Sequence, residues 1–258
     1  MKNIFILAKK DTASYFHSWT GVLVMFSFAV ISGVFFCLPV LTYAKLSLSA
    51  AQQNYQGLEG LGITRFVFSS YFLNIGTLLI FVVPFLSMRS FAEERNQETL
   101  ELLFTYPFSD IDIVLGKFFG MLGFFLLLMS SSLLFVFFLR ATGAQIDYGP
   151  VITGYLGFIL LGMAYLSFGL FVSSISENQV VSAIVTFSVL VLFWLLEWVS
   201  GITDGKWAHF FTEISPFNHY RYFPLGILDL GHLVYFLFFY FYFLFLTMRV
   251  IETRHWKG

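Results

Sequence analysis

Read for its apolar and polar positions, the chain divides at its charges. No Asp, Glu, Lys or Arg occurs from Thr20 to Ala44, and Arg65 and Arg89 bracket a second uncharged run. Lys117 and Arg140 bracket a third, and further runs span Tyr148–Ser176, Asn178–Leu196 and Leu230–Met248. Apolar stretches of this length match the roughly 20 helical residues that cross a bilayer core of about 30 Å. Backbone groups must be paired inside lipid, so such runs are helices. The pattern predicts an all-α polytopic membrane protein, one domain over residues 1–258. Its transmembrane helices are expected at about 20–44, 66–88, 118–139, 150–173, 179–199 and 230–248.

The connections carry their own signals. The leader MKNIFILAKKDTASYFHSW, residues 1–19, sets Lys9, Lys10 and Asp11 in the middle of apolar and aromatic residues. It reads as an amphipathic helix at the membrane interface, and the first span that follows it has too long an apolar run for a cleaved signal peptide. The turn SISENQ at 174–179 is very short. Residues 200–228 are long and rich in aromatics, among them Trp207, Phe210, Phe217, Tyr220 and Phe223. A loop so apolar is expected to dip into the membrane edge, buried against protein where its backbone is irregular.

Composition sharpens this reading. The 258 residues are 58% hydrophobic and 11% charged, and mean hydropathy is +0.82, beyond the range of soluble domains. A net charge of −1 argues against a nucleic-acid partner. Cys37, the one cysteine, can form no internal disulfide. Counted over segments of nearly equal total length, the loops on the N-terminal side hold nine Lys and Arg and the other loops five. The bias places both termini in the cytoplasm.

Against this apolar background, six of the fifteen acidic residues fall between Glu93 and Asp112. On a helical period Glu94, Glu98 and Glu101 share one face, with Ala92, Leu100, Leu103 and Phe104 opposite. Pro107 ends that segment, and Ser109 with Asp112 forms a capping pair that starts the next helix. The connection 89–117 is thus expected to hold a short amphipathic helix lying along the cytoplasmic face.

Catalytic chemistry is missing from the pattern. The chain has no phosphate-binding loop, no Gly-x-Ser-x-Gly, no His-Glu-x-x-His and no Cys-x-x-Cys. The spans hold no acid, base or histidine at mid-depth, which disfavours an ion-coupled transporter, a channel or an intramembrane enzyme. Glu197, at the end of the fifth helix, reads as an interfacial carboxylate beside Trp194 and Trp198. His209 and Glu213, four apart, are half a metal site at most, and ordinary surface polarity is the better reading. Gly116-x-x-x-Gly120 allows a close helix contact. The acid-rich loop has a bland reading, a solvated face, and a sharper one, a surface gripped by a soluble motor.

The residues of that loop resemble a known family. Phe91-Ala-Glu-Glu-Arg95, Glu98-Thr-Leu-Glu-Leu-Leu103, Pro107 and Ile113-Val-Leu-Gly-Lys117 resemble the signature of ABC-2-type permeases, the membrane subunits of one class of ATP-binding-cassette transporter. Glu98 stands where that family commonly has glycine. Ala8-Lys-Lys-Asp11 with Tyr15-Phe16 resembles its elbow helix, Gly169 to Gln179 its second cytoplasmic turn, and Arg249 to Trp256 its ending. Within the family the chain looks nearest to permeases associated with gliding motility and with nitrous oxide reductase maturation.

The resemblance implies a non-catalytic six-helix subunit of a bacterial cytoplasmic membrane, paired with a second permease copy, identical or related, and surrounded by membrane lipid. It carries no cofactor of its own; ATP and Mg belong to a cytoplasmic ATPase partner. The large aromatic loop 200–228 keeps open an alternative, a membrane anchor for an extracytoplasmic accessory protein, beside a secondary transporter or channel. The resemblance assigns ATPase coupling to Glu93, Glu94, Arg95, Glu98, Thr99, Leu100, Glu101, Leu103 and Phe104, and to Ser176, Glu177 and Asn178 in the short turn. The apolar face, Leu100 and Leu103, is expected to contribute more to docking than the acidic one, because burying a leucine is worth about 1.5–3 kcal/mol and an exposed ion pair about 0–1 kcal/mol.

Overall fold

The computed structural model describes residues 2–53, 62–96, 108–202 and 206–255. Among them the chain is helical nearly throughout and has no strand. The helices are α1 (Lys2–His17), α2 (Trp19–Gln53), α3 (Ile63–Ser87), α4 (Ala92–Asn96), α5 (Asp110–Ser130) and α6 (Leu133–Ala141). Then follow α7 (Tyr148–Ile175), α8 (Gln179–Ile202), α9 (Lys206–Ile214), α10 (Pro216–Tyr220), a 3₁₀ turn (Phe223–Leu225) and α11 (Leu230–His255). By length and apolarity α2, α3, α5 with α6, α7, α8 and α11 can each cross a membrane. α2 runs on to Gln53, because the segment after Ala44 is made of helix-forming Lys, Leu, Ala and Gln with Ser.

The third span is broken in its middle. Ser130, Ser131 and Ser132 each turn their hydroxyl back onto a carbonyl three residues earlier, at 2.7 Å. Such back-bonding competes with the helical ladder, and α5 gives way to α6 there. Ser132 then meets the Tyr155 hydroxyl at 3.1 Å. At the start of α5 the capping pair forms, with Ser109 Oγ accepting from Asp112 N at 3.2 Å and Asp112 Oδ2 accepting from Ser109 N at 3.4 Å.

α7 is the central post, packed by α3, α8 and α11. Its apolar window is 72% buried, against 17% for α8. The aromatic connection re-enters the bundle from the end opposite α4. Tyr220, fully buried, donates to Phe72 O at 2.6 Å, and its ring leaves no room for a side chain at Gly76. Phe217 and Phe223 are buried beside it. Arg65 holds the far side of this plug by donating to Leu225 O at 3.0 Å.

α1 packs along α5. A Cβ at Gly116 would lie 2.7 Å from Leu7 Cβ, and one at Gly120 2.7 Å from Asp11 Cβ. The two glycines are the seat for α1, and Thr12 fastens it by donating to Gly120 O at 3.0 Å. Tyr15, buried, donates to Leu86 O at 2.8 Å and stacks on Phe124.

Candidate coupling site

Residues 88–96 leave α3 and return beneath it, where Ser90, Phe91, Ala92, Glu94 and Arg95 find partners on other helices. α4 is too short to be stable alone, so its ends are held from outside. The N–H groups of Phe91 and Ala92 both donate to Ser173 Oγ, at 3.1 Å each. Ser173 lies in the last turn of α7 and serves as the missing N-cap. The reverse bonds come from Arg95. Its guanidinium donates to the carbonyls of Ser174 at 2.9 Å, Ile175 at 3.3 Å and Ser176 at 2.7 Å. Those are the orphan carbonyls at the α7 C-terminus, where the helix dipole also favours a cation. α4 and α7 thus cap one another.

Three ion pairs complete the joint. Lys117, on α5, has its side chain 5% exposed and meets Glu94 Oε1 at 2.8 Å. It also donates to Ser90 O at 2.7 Å, lies 5.0 Å from the Phe91 ring centre, and has Asp11 of α1 at 3.9 Å. Arg89 forms a two-pronged pair with Glu93, at 2.6 and 2.9 Å. The same guanidinium donates to Ser18 Oγ, and to Thr20 Oγ1 at 2.7 Å, which fixes the α1–α2 junction. Lys10, Asp11, Arg89, Glu93, Glu94 and Lys117 surround a polar cavity of about 200 Å³. The root of the loop is therefore tied to α1, α2, α5 and α7 at once.

This places three of the expected coupling residues inside the chain's own bonding. Glu93 and Glu94 turn to Arg89 and Lys117, and Arg95 to α7. For Glu94 the physical reason is Lys117: a buried ammonium must be paired, and Glu94 is the carboxylate at hydrogen-bond distance. In the short turn Ser176 gives its carbonyl to Arg95, while Glu177 and Asn178 are exposed. Asn178 Oδ1 accepts from Val180 N at 2.8 Å. Glu98, Thr99, Leu100, Glu101, Leu103 and Phe104 lie outside the described residues.

Lys117, Ser173, Arg89 and Asp11 were not picked out as site residues by the sequence pattern. A lysine two turns inside an apolar helix was a usable signal for Lys117; nothing in the local sequence marks Ser173. At the opposite end His209 Nε2 and His219 Nε2 lie 4.0 and 3.9 Å from the Glu213 carboxylate. No group of three residues suited to a metal ion occurs among the described residues. Glu197 meets Arg221 at 3.4 Å.

A six-span helical bundle with a charged loop braced against α1, α2, α5 and α7 has the build of a transporter membrane domain. The sequence profile of the ABC-2 family transporter proteins matches residues 5–251, and the chain belongs to that family. No individual curated protein matches it.

Proposed function

We propose that the chain is the permease subunit of an ATP-binding-cassette transporter, without catalysis of its own, driven by a separate cytoplasmic ATPase that grips the α4 end. The observation that carries this is the braced root of the first loop. Its charges are satisfied within the permease, so the loop is anchored on a braced base as far as Asn96 and a push on the stretch that follows is passed to that base. A push on that stretch reaches α7 through Arg95 and Ser173 and α5 through Lys117, and the bundle tilts as one body. Glu93, Glu94 and Arg95 then act as positioning residues. Contact with the ATPase falls to Glu98, Thr99, Leu100, Glu101, Leu103 and Phe104, with Ser176, Glu177 and Asn178 as a second, smaller contact. Two permease copies enclose the substrate path, and both termini lie in the cytoplasm. The narrower kinship with gliding-motility and nitrous-oxide-reductase-maturation permeases rests on motif likeness alone.

The test is capture of the ATPase by the tagged permease from native membranes. Leu100→Ser with Leu103→Ser removes roughly 3–6 kcal/mol of apolar contact, and capture should fall a hundredfold or more while the permease stays inserted and folded. Glu98→Gln should cost several-fold at most. A permease that unfolds on losing the two leucines, with Glu98→Gln abolishing capture, would show the helix facing the other way. An impermeant thiol label applied from outside should reach a cysteine at Lys206 and not one at Lys257. The reverse result would put the α4 end outside the cell and end the ATPase reading.

A further inference from the structure

Between α1 and α5 runs an open groove of about 870 Å³, walled by Phe5, Ala13 and Phe16 of α1 and by Phe119 and Gly123 of α5. Its lining carries one charge, the ammonium of Lys9. Phe5, Lys9 and Phe16 stand at positions i, i+4 and i+11, so they share a stripe of α1. That stripe points away from the seat that Leu7 and Asp11 make on Gly116 and Gly120. Phe5, Phe16 and Phe119 are all exposed. Lys9 is exposed as well, and among the described residues it makes no ion pair and no hydrogen bond. Lys10, one position on, differs: it lines the polar cavity with Asp11, Glu93 and Glu94 and has carboxylates beside it.

Depth is set by the neighbours. Asp11 lies 3.9 Å from Lys117, which reaches the Ser90 carbonyl three residues past the end of α3. The middle of α1 is therefore level with the end of a span, where lipid head groups lie. Toward its C-terminus α1 climbs beside α5 until Phe16 meets Phe124 at 5.5 Å, inside the leaflet's edge. The groove thus opens at head-group level around Lys9 and continues upward between rings.

A cation between apolar walls is complementary to an amphiphile with an anion at one end. The lysine stem packs along the rings while its ammonium reaches the polar zone. A phosphate there gains a charge-assisted partner, and an acyl chain fits the apolar walls above it. A zwitterionic head group brings its own cation to its phosphate and gains little from Lys9, whereas an anionic one gains the full pair. We propose that the groove between α1 and α5 seats one anionic phospholipid of the leaflet on the α4 side, its phosphate on Lys9 and a chain along Phe16 and Phe119. The lipid closes the open flank of the joint by which α1 is held to the bundle.

The test is native mass spectrometry of the full chain released from nanodiscs holding phosphatidylglycerol and phosphatidylcholine in equal amounts. The native chain should keep one phosphatidylglycerol. Lys9→Gln should keep it about five-fold less, the worth of one lysine at an anionic surface, and Lys9→Arg should restore it. Ala13→Trp, which fills the groove with the charge intact, should also lower it. Lys10→Gln, an equal change of charge, should leave it as in the native chain. Equal losses in Lys9→Gln and Lys10→Gln would mean diffuse attraction to a basic helix and overturn the site. Equal retention of phosphatidylcholine, or full retention by Lys9→Gln, overturns it too. Phe5→Cys, in a Cys37→Ser background because Cys37 is exposed, should stay unlinked on mild oxidation in the native membrane. A covalent dimer, or a disulfide to another protein, would show that protein and not lipid covers the groove.

Discussion

Lys117→Met takes the ammonium out of the joint and keeps most of the stem's volume. Glu94 Oε1 is 2.8 Å from the Lys117 nitrogen, a separation worth about 6 kcal/mol of gross attraction at an effective dielectric of 20. Much of that offsets the cost of burying the lysine. The measurable loss is the penalty of leaving Glu94 and Asp11 together without a cation, about 3–5 kcal/mol when one partner of a buried pair is removed. The Glu94 side chain is 22% exposed, so water relieves part of it and the lower end, ~3 kcal/mol, is expected. For a chain of this size that is a fall of about 6–12 °C in melting temperature. Glu94→Gln alone leaves Lys117 with the Ser90 carbonyl and Asp11, so it should lose less. Lys117→Met combined with Glu94→Gln removes both charges and should regain about half of the single-variant loss, a coupling readable in a double-mutant cycle. Melting in lipid nanodiscs measures all three. If Lys117→Met melts within a degree or two of the native chain, or the double variant is no better than Lys117→Met, the ion pair does not hold the joint.

Gly120→Leu should unseat α1, because the new side chain meets Asp11 Cβ at 2.7 Å and the Ala8 carbonyl at 3.3 Å. A loss of about 1–3 kcal/mol is expected, with faster proteolysis at Lys9 and Lys10; Gly33→Leu, open within 4 Å, should change neither. Burial holds the His219 imidazole below its ordinary value of 6.5, with the nearby His232 adding to the shift and Glu213 opposing it. The unfolded chain therefore takes up the proton first, so stability is flat above about pH 6.5 and falls as pH drops below it. Melting at pH 7.5 and 5.5 should show this loss in the native chain and less of it in His219→Phe; equal slopes would remove His219 as the cause.

The sequence by itself determined the class and the membrane order. Uncharged runs of twenty-odd residues leave a bilayer protein no option but helices, so the six spans were legible from charge positions alone. Capping chemistry is equally local: Ser109 and Asp112 sit three apart, and the box forms where the pattern put it. The aromatic loop was legible in kind, since side chains such as Tyr220 and Phe223 need burial wherever they fall.

Partnership was decided only by the tertiary structure. Glu94 and Lys117 stand 23 positions apart, and Ala92 and Ser173 are separated by 81. Which carboxylate meets which cation depends on how α1, α5 and α7 converge, and no periodicity encodes that. On the helical period Glu94 shares one polar face with Glu98 and Glu101, because a pattern records side-chain type and not direction. Once α7 offered Arg95 its open carbonyls and α5 offered Glu94 a buried ammonium, those residues turned inward. Lys9 shows the same limit from the other side. In the sequence it is one charge of an amphipathic leader, and the apolar groove around it exists only once α1 is seated beside Phe119 of α5.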